Sequence, residues 1–482
     1  MSIRKLGKQS LIYGIGHILA RLVTFFLLPL YTNVFSTKEY GVVALFYTFL
    51  AFMNVIMRYG LGAAFLKFYV PADRDERLEI FSNVIFSLFI TGIPFLCIWH
   101  LCRDFLSPIL LGVHEPSFIT IMGIIIVLDT IWSIPLLGYR AENRPGLFIL
   151  FSLLNVLVTI VLNLYFIIQK GFGINAIFLS NLLASSLIFI LSLPYIYNRF
   201  KFSLLSKNTW QNILRFALPF LPAGLFSMFM EVADRYILKY LTDLSTVGIY
   251  NAGYKVGMLM MLLITAFNFA WQPFFLKHGK KKSPSKLFSR VSILALSGFG
   301  YIWLLLVIWA DELLKIEIAG YAFFGKEFAP ALPIIPWISL GYLFYGFYIL
   351  QTPGIFLKDR PGIAATTRLI GAISNIVLCL LLIPFYDKFG KAEIGAAIST
   401  CLAFLIMFIM IYYKNKKLYP IQLEWTKILL LAIFIFGSFI FSKFMGDHFF
   451  INIIITVIYP YILVKIGIIR STLIQEILGS LK

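Results

Sequence analysis

A few ionisable side chains lie inside long apolar runs of this 482-residue chain. A charged side chain at the centre of a lipid bilayer costs about 2.5–3.5 kcal/mol, so such residues normally face a protein interior or a water-filled space. Basic side chains placed there have the chemistry to bind an anion such as a phosphate group. The basic candidates for such a binding cavity are Arg21, Arg58, Arg235 and Lys255, and the candidates for ion coupling or charge pairing are Asp129, Glu231, Asp234 and His17.

Helical spacing groups these residues on polar faces. Intervals of three or four residues place Arg21 on one stripe with His17 and place Arg58 on another with Asn54. The first and second runs of the second half repeat this pattern, so four helices are expected to turn polar faces towards a shared cationic cavity. His17 suits helix packing better than a proton relay.

Charge pairing is the structural alternative to a binding role. Arg235 lies one turn after Glu231 and directly after Asp234, so either acid can neutralise it. Asp129 is placed to neutralise one of the two arginines of the first half across helices. The sequence leaves both interpretations open.

The elements that position these residues are membrane-spanning helices. Apolar residues make up 60% of the chain and charged residues 13%, a balance that requires lipid as the solvent. Each span needs ~20 apolar residues, and the runs are apolar on every side, which excludes a β-barrel. About fourteen spans are predicted. They lie near residues 10–34, 41–66, 80–102, 117–139, 147–168, 175–197, 217–241, 248–275, 291–310, 331–356, 364–385, 394–413, 426–445 and 450–469.

The loops predict the topology of these helices. Basic residues concentrate in alternate loops, which places both termini in the cytoplasm. The net charge of +19 therefore reflects the membrane topology and the attraction of basic loops to anionic membrane lipid. No nucleic-acid partner is needed to explain it.

An internal repeat offset by about 205–210 residues predicts two lobes. Among its matches, Ser36-Thr37 before Gly41 is similar to Ser245-Thr246 before Gly248. We expect an all-α membrane protein with two pseudo-symmetric six-helix lobes around a central cavity, followed by two C-terminal helices. The predicted parts are a first lobe at 1–197, a cytoplasmic interfacial linker at 198–215, a second lobe at 216–415, and helices 13 and 14 with the tail at 416–482.

Sequence motifs for catalysis are not found. The chain has no phosphate-binding loop, nucleophile elbow or zinc-binding H-E-x-x-H stretch, so we expect neither an enzyme nor a metal protein. The four cysteines, Cys97, Cys102, Cys379 and Cys401, lack ligand spacing. No cofactor is expected; coupling to protons, sodium or the membrane potential stays open.

Two stretches carry a family resemblance: RLVTFFLLPLYTNVFSTKEYG at 21–41 and EVADRYILKYLTDLSTVGIYNAGYKVG at 231–257. Both resemble the polysaccharide flippases, the O-antigen and capsule repeat-unit exporters of the multidrug, oligosaccharidyl-lipid and polysaccharide exporter superfamily. The resemblance implies a V-shaped cavity, alternating access and an undecaprenyl-diphosphate-linked oligosaccharide as substrate. It also implies Arg21, Arg58, Arg235 and Lys255 as cavity residues.

The implied setting is surface polysaccharide biosynthesis in a bacterial inner membrane. Expected partners are the lipid-linked oligosaccharide, membrane lipid, and a polysaccharide polymerase with its chain-length regulator. A lipid-linked peptidoglycan-precursor flippase and a cation-coupled drug exporter of the same superfamily are the alternatives. The drug exporter would favour acidic sites, whereas basic residues predominate here. A membrane polymerase or ligase would be expected to have a large outer loop.

Overall fold

The structure is a computed structural model that describes residues 25–142, 144–279, 284–313, 315–318, 320–358, 360–421, 423–446 and 449–468. Predicted site residues His17 and Arg21 lie outside these ranges, as does most of the first predicted span. Within them, helices dominate, and the extended pairing is one short antiparallel contact between β1 (Glu317–Ile318) and β2 (Tyr321–Ala322). The expected all-α fold is confirmed.

The chain divides into two compact units between Asn251 and Ala252. The helices of the first unit are α1 Leu28–Val34, α2 Thr37–Arg58, α3 Leu61–Tyr69, α4 Arg74–Leu101, α5 Arg103–Leu111, α6 Pro116–Ala141, α7 Pro145–Leu164, α8 Asn175–Arg199, α9 Lys207–Ala217 and α10 Phe220–Leu241. A π-helical turn at Tyr165–Gln169 extends α7, and a 3₁₀ turn at Phe202–Leu204 precedes α9. Helix α11, Leu244–Gly257, runs through the boundary.

The second unit holds the remaining helices. They are α12 Leu259–His278, α13 Pro284–Ile308, α14 Ala310–Leu313, α15 Ile334–Leu350, α16 Pro353–Leu357, α17 Pro361–Asp387, α18 Ala392–Leu418, α19 Trp425–Phe444 and α20 Phe449–Lys465, with a 3₁₀ turn at Lys326–Ala331. The last two helices pack on α13, where Trp303, Ile435 and Tyr459 are buried together. The Tyr459 hydroxyl also donates to the Ser297 carbonyl over 2.8 Å, which ties the final pair to this unit.

Twelve helical runs of the described residues are long and apolar enough to cross a membrane, and α20 is a shorter apolar helix. These thirteen helical runs of the described residues are roughly consistent with the predicted count, and the protein is a multi-pass membrane protein. Two predicted spans differ in detail. The span at 41–66 breaks after Arg58, and the span at 248–275 is interrupted at Met258.

Local capping explains where two of the helices begin. The Ser36 hydroxyl accepts from the Glu39 amide, and the Glu39 carboxylate accepts from the Ser36 amide over 2.9 Å. Asp73 and Glu76 repeat this arrangement at the start of α4. Each capping box satisfies amide groups that the first helical turn leaves without partners.

The segment between the predicted lobes is docked on α4. The Trp210 indole donates to the Ser87 hydroxyl over 2.5 Å, and the Asn83 amide donates to the Leu204 carbonyl over 3.2 Å. Helix α10 lies within the first unit, and its Phe229 ring lies 5.3 Å from the Phe52 ring of α2. The predicted division at 197 and 216 stays a prediction.

Candidate functional site

Arg58 is the last residue of α2, at a break in the helix. Tyr59 follows with φ +28° and Gly60 with φ +80°, the left-handed region that favours glycine. A Cβ on Gly60 would also lie 2.1 Å from the Ala217 carbonyl oxygen, so this position excludes a side chain. The negative end of the α2 dipole favours a cation at this point.

An acidic group on a neighbouring helix faces Arg58. Asp129 on α6 accepts from the Ser185 hydroxyl over 2.7 Å and from the Trp132 indole over 2.9 Å. Arg58 acts electrostatically on this carboxylate, and the Asn54 side chain approaches it as well. Helical spacing predicted that Asn54 and Arg58 share one face of their helix, and in the structure both side chains interact with Asp129.

The environment of Arg58 differs from that of its acidic neighbour. Asp129 is half-buried and held by two donors, whereas Arg58 is exposed although protein atoms surround it. Arg58 therefore keeps exposed surface beside a carboxylate that other side chains hold.

Arg235 has a different environment. It is buried on α10, and its guanidinium donates to the Asp234 carboxylate over 2.9 Å and to the Glu231 carbonyl oxygen over 2.7 Å. Asp234 also accepts from the Tyr250 hydroxyl over 2.5 Å. Arg235 thus has an ion pair with Asp234 and a hydrogen bond to the backbone of Glu231, one turn earlier on the same helix.

The surroundings of Arg235 include groups from two other helices. Its Nε donates to the Asn251 side-chain oxygen over 3.4 Å, and Tyr40 on α2 lies close enough to interact with both. The Glu231 side chain is half-buried. Lys255 lies in the second unit, half-buried in the last turn of α11. The binding role of Lys255 stays a prediction.

The first turns of α2 and α11 meet by a reciprocal contact. A Cβ on Gly41 would lie 2.0 Å from the Leu244 carbonyl oxygen, and a Cβ on Gly248 would lie 2.0 Å from the Thr37 carbonyl oxygen. The Thr37 hydroxyl also donates to the Ser245 hydroxyl over 3.1 Å. Only glycine allows this approach at either position.

This contact gives the register of the repeat. Gly41 to Gly248 and Thr37 to Leu244 are both intervals of 207 residues, within the predicted offset. The same interval relates Ser36 to Asp243, and each of these residues caps the start of its helix. Ser36 caps α2, and Asp243 caps α11 by accepting from the Thr246 amide over 2.8 Å. The matching letters Ser36-Thr37 and Ser245-Thr246 are two residues out of this register.

The two arginines lie at different depths below this contact. Helix α2 has 22 residues, so Arg58 lies about 33 Å along it from its first turn. Arg235 lies less than two turns from the end of α10, about 9 Å from the same end. Along the helices, the two charges are therefore separated by on the order of 20 Å.

Several groups around these charges were missed from the sequence. Ser185 and Trp132 hold Asp129, and Tyr40 and Tyr250 surround Arg235. Ser185, Tyr40 and Tyr250 act from other helices, which spacing within one helix cannot identify. Trp132 lies three residues after Asp129 on α6, so helical spacing could have found it. In the part of the chain that the structure describes, no group of three or more histidine, cysteine or acidic residues is placed to hold a metal ion.

Comparison with known proteins assigns the fold and a family. The family described as "Polysaccharide biosynthesis protein" matches residues 6–278, more than half of the chain. An uncharacterized membrane protein of Haemophilus influenzae is 23% identical over 401 residues, covering 80% of this chain and 94% of that protein.

Two solved structures share this architecture. The Lipid II flippase MurJ in an inward closed conformation matches with a TM-score of 0.76 at 16% identity, over 94% of this chain and 98% of that chain. An inward-facing multidrug resistance MATE family transporter of the MOP superfamily matches with a TM-score of 0.65 at 13% identity, over 83% of this chain and 98% of that chain. At these identities the likeness shows the fold.

Proposed function

Because the chain belongs to the polysaccharide biosynthesis protein family, we propose that it flips an undecaprenyl-diphosphate-linked oligosaccharide repeat unit from the cytoplasmic to the outer leaflet of a bacterial inner membrane. The observation that carries this proposal is Arg58, an exposed guanidinium at a helix break among membrane-spanning helices. Guanidinium groups bind phosphate oxygens through paired, charge-assisted hydrogen bonds. The diphosphate is the anionic part of such a cargo.

The spacing of the charges supports transport in stages. Arg58 would receive the diphosphate, and the Arg235 group lies nearer the Gly41 contact. That contact closes the end of α2 and α11 by backbone approach, so release there requires the two turns to separate. Alternating access supplies this separation, and a polymerase with its chain-length regulator would then use the exported unit.

The membrane potential is a sufficient drive for an anionic cargo. A potential negative inside contributes about 2.3 kcal/mol per charge per 100 mV towards export of negative charge. Coupling to protons or sodium would use the acidic groups Asp129, Glu231 or Asp234. His17 is a further candidate for this role.

A lipid-linked peptidoglycan precursor is the second candidate cargo. The fold is shared with the Lipid II flippase MurJ, and that cargo would present the same chemistry of phosphate, sugar and lipid tail to Arg58. A cation-coupled drug exporter fits less well, since a cationic cargo would meet the positive charge of Arg58.

Reconstituted vesicles test the proposal directly. The probes are a fluorescent undecaprenyl-diphosphate oligosaccharide and a peptidoglycan precursor with the same lipid, and the readout is the fraction that a sugar-modifying enzyme outside the vesicles can reach. We expect wild-type protein to flip the oligosaccharide, Arg58→Ala to slow flipping at least tenfold, and Arg58→Lys to retain part of the rate. Arg103→Ala removes an exposed arginine beside Asp104 and is the matched control.

Two results would overturn this function. Equal flipping rates for Arg58→Ala and wild type would remove the phosphate-binding role. Faster flipping of the peptidoglycan precursor than of the oligosaccharide would favour the second cargo.

A further inference from the structure

An apolar groove follows the side of the first unit between α4 and the last turns of α8. It measures about 1040 Å³, and Phe89, Ile190, Leu193 and Phe202 line it. Ile190 is 57% exposed and Phe202 74% exposed. In a membrane protein, an apolar surface of this kind is solvated by hydrocarbon chains.

A polar cleft of about 700 Å³ lies at the end of this groove. Four cations line it against two carboxylates. The cations are Arg74, Arg77, Arg199 and Lys201, and the carboxylates are Asp73 and Glu142. The cleft therefore carries an excess of positive charge.

Two of the four cations are already engaged. Arg77 donates to the carbonyl oxygens of Tyr69 and Val70 over 3.1 Å, and Arg199 pairs with Glu142 over 2.9 Å. Arg74 and Lys201 are exposed, and the structure records no side-chain partner for either among the residues that it describes. These two charges are available to a ligand.

Lys201 joins the two spaces. Both the groove and the cleft are lined by Lys201 and Asn198. The backbone amide of Lys201 donates to the buried Ser82 hydroxyl over 2.9 Å, which fixes this residue on α4. A ligand at Lys201 would thus have its charged part in the cleft and its apolar part in the groove.

We propose that groove and cleft together bind one anionic glycerophospholipid of the leaflet on the side of the basic loops. One acyl chain lies in the groove, and the phosphate contacts Lys201 and Arg74. Basic clefts between membrane helices are suited to anionic headgroups, and a neutral lipid would leave both cations unmatched. This site is separate from Arg58 and does not depend on which cargo is flipped.

Native mass spectrometry of the full chain tests the site. Protein in detergent is titrated with phosphatidylglycerol and with phosphatidylcholine of the same acyl chains. We expect one tightly retained phosphatidylglycerol, with affinity reduced about fivefold by Lys201→Ala or Arg74→Ala and about thirtyfold by both. Lys207→Ala, a basic residue outside the cleft, should leave it unchanged.

A groove variant separates a bound lipid from a bound anion. Leu193→Trp fills the groove, so it should lower phosphatidylglycerol retention while Lys201→Arg preserves it. Displacement of the lipid by inorganic phosphate with no effect of Leu193→Trp would show an anion site and overturn the proposal. Preferential retention of a polyprenyl phosphate, or equal retention of phosphatidylcholine, would overturn it too.

Discussion

The Arg235 guanidinium donates to the Asp234 carboxylate over 2.9 Å, and the two side chains are only 7% and 0% exposed. Removing one member of a buried pair leaves the other charge without compensation, which costs about 3–5 kcal/mol. Asp234→Asn should therefore lower the free energy of unfolding by that order, measured in a detergent unfolding titration. Glu312→Gln, which breaks the more exposed pair with Lys315, should cost less than ~1 kcal/mol. Equal losses would contradict a buried, structural pair.

Asp129 should act on transport through Arg58. If this carboxylate orients the guanidinium, Asp129→Asn will slow flipping less than Arg58→Gln, and the double variant will be no slower than Arg58→Gln alone. Residues in direct interaction show such non-additivity, with coupling energies of about 0.5–3 kcal/mol. Initial flipping rates of the three variants give the coupling. Additive effects would assign Asp129 a separate role, such as ion coupling.

Alanine at Gly41 or Gly248 should open the turn contact. The added Cβ would lie 2.0 Å from a backbone carbonyl oxygen, so the two first turns must move apart. We expect faster labelling of Ser245→Cys by a membrane-impermeant thiol reagent, in a background with the exposed Cys97 and Cys102 replaced by serine.

Gly298→Ala is the matched control for this labelling. A Cβ at Gly298 meets nothing within 4 Å, and alanine inside a helix is favoured over glycine by about 0.5–1 kcal/mol. This variant should label like the parent. If Gly41→Ala and Gly248→Ala leave the labelling rate unchanged, the added methyl group is accommodated without separation of the two turns, and the prediction is wrong.

Glu142 makes a component of stability depend on pH. Burial alone would raise its pKa, but hydrogen bonds from Tyr195 and Tyr69 and the charge of Arg199 lower the pKa below the ordinary value of 4.5. A lowered folded-state pKa stabilises the protein above the unfolded value, and this contribution is lost as pH falls through the folded pKa.

The Glu142 contribution should therefore be complete above about pH 4.5 and decline below it. Melting temperatures across this range, for wild type and Glu142→Gln, measure it. The difference between the two should shrink as the pH falls. A constant difference would show that the carboxylate keeps its charge throughout.

Much of the fold can be predicted from the sequence, because a helix that crosses a lipid bilayer must be about 20 residues long and mostly apolar. The predicted span at 117–139 is the helix Pro116–Ala141, and the stripe of Asn54 and Arg58 does face a polar partner. The break after Arg58 was not predicted. It contains no proline, and Gly60 is needed because of a carbonyl more than 150 residues away.

The charge partners show the same limit. Helical spacing left Glu231 and Asp234 both open as partners of Arg235; the structure pairs Arg235 with Asp234, and Tyr250 from the neighbouring helix α11 donates to that carboxylate. Asp129 acts electrostatically on Arg58 from another helix, whereas the sequence left its partner open between Arg21 and Arg58. Such contacts depend on which helices pack against each other. The periodicity of one sequence identifies the polar face of each helix but not the neighbouring helix that this face contacts.

The equal intervals in the turn contact have a consequence for protein engineering. In a dimer of identical half-length chains, the same glycine would occupy both sides of such a contact, because each subunit contributes the same residue to a two-fold interface. Here two separate codons encode the two sides. Gly41 or Gly248 can therefore be substituted alone. A single substitution would make the contact asymmetric, with a side chain on one helix and glycine on the other.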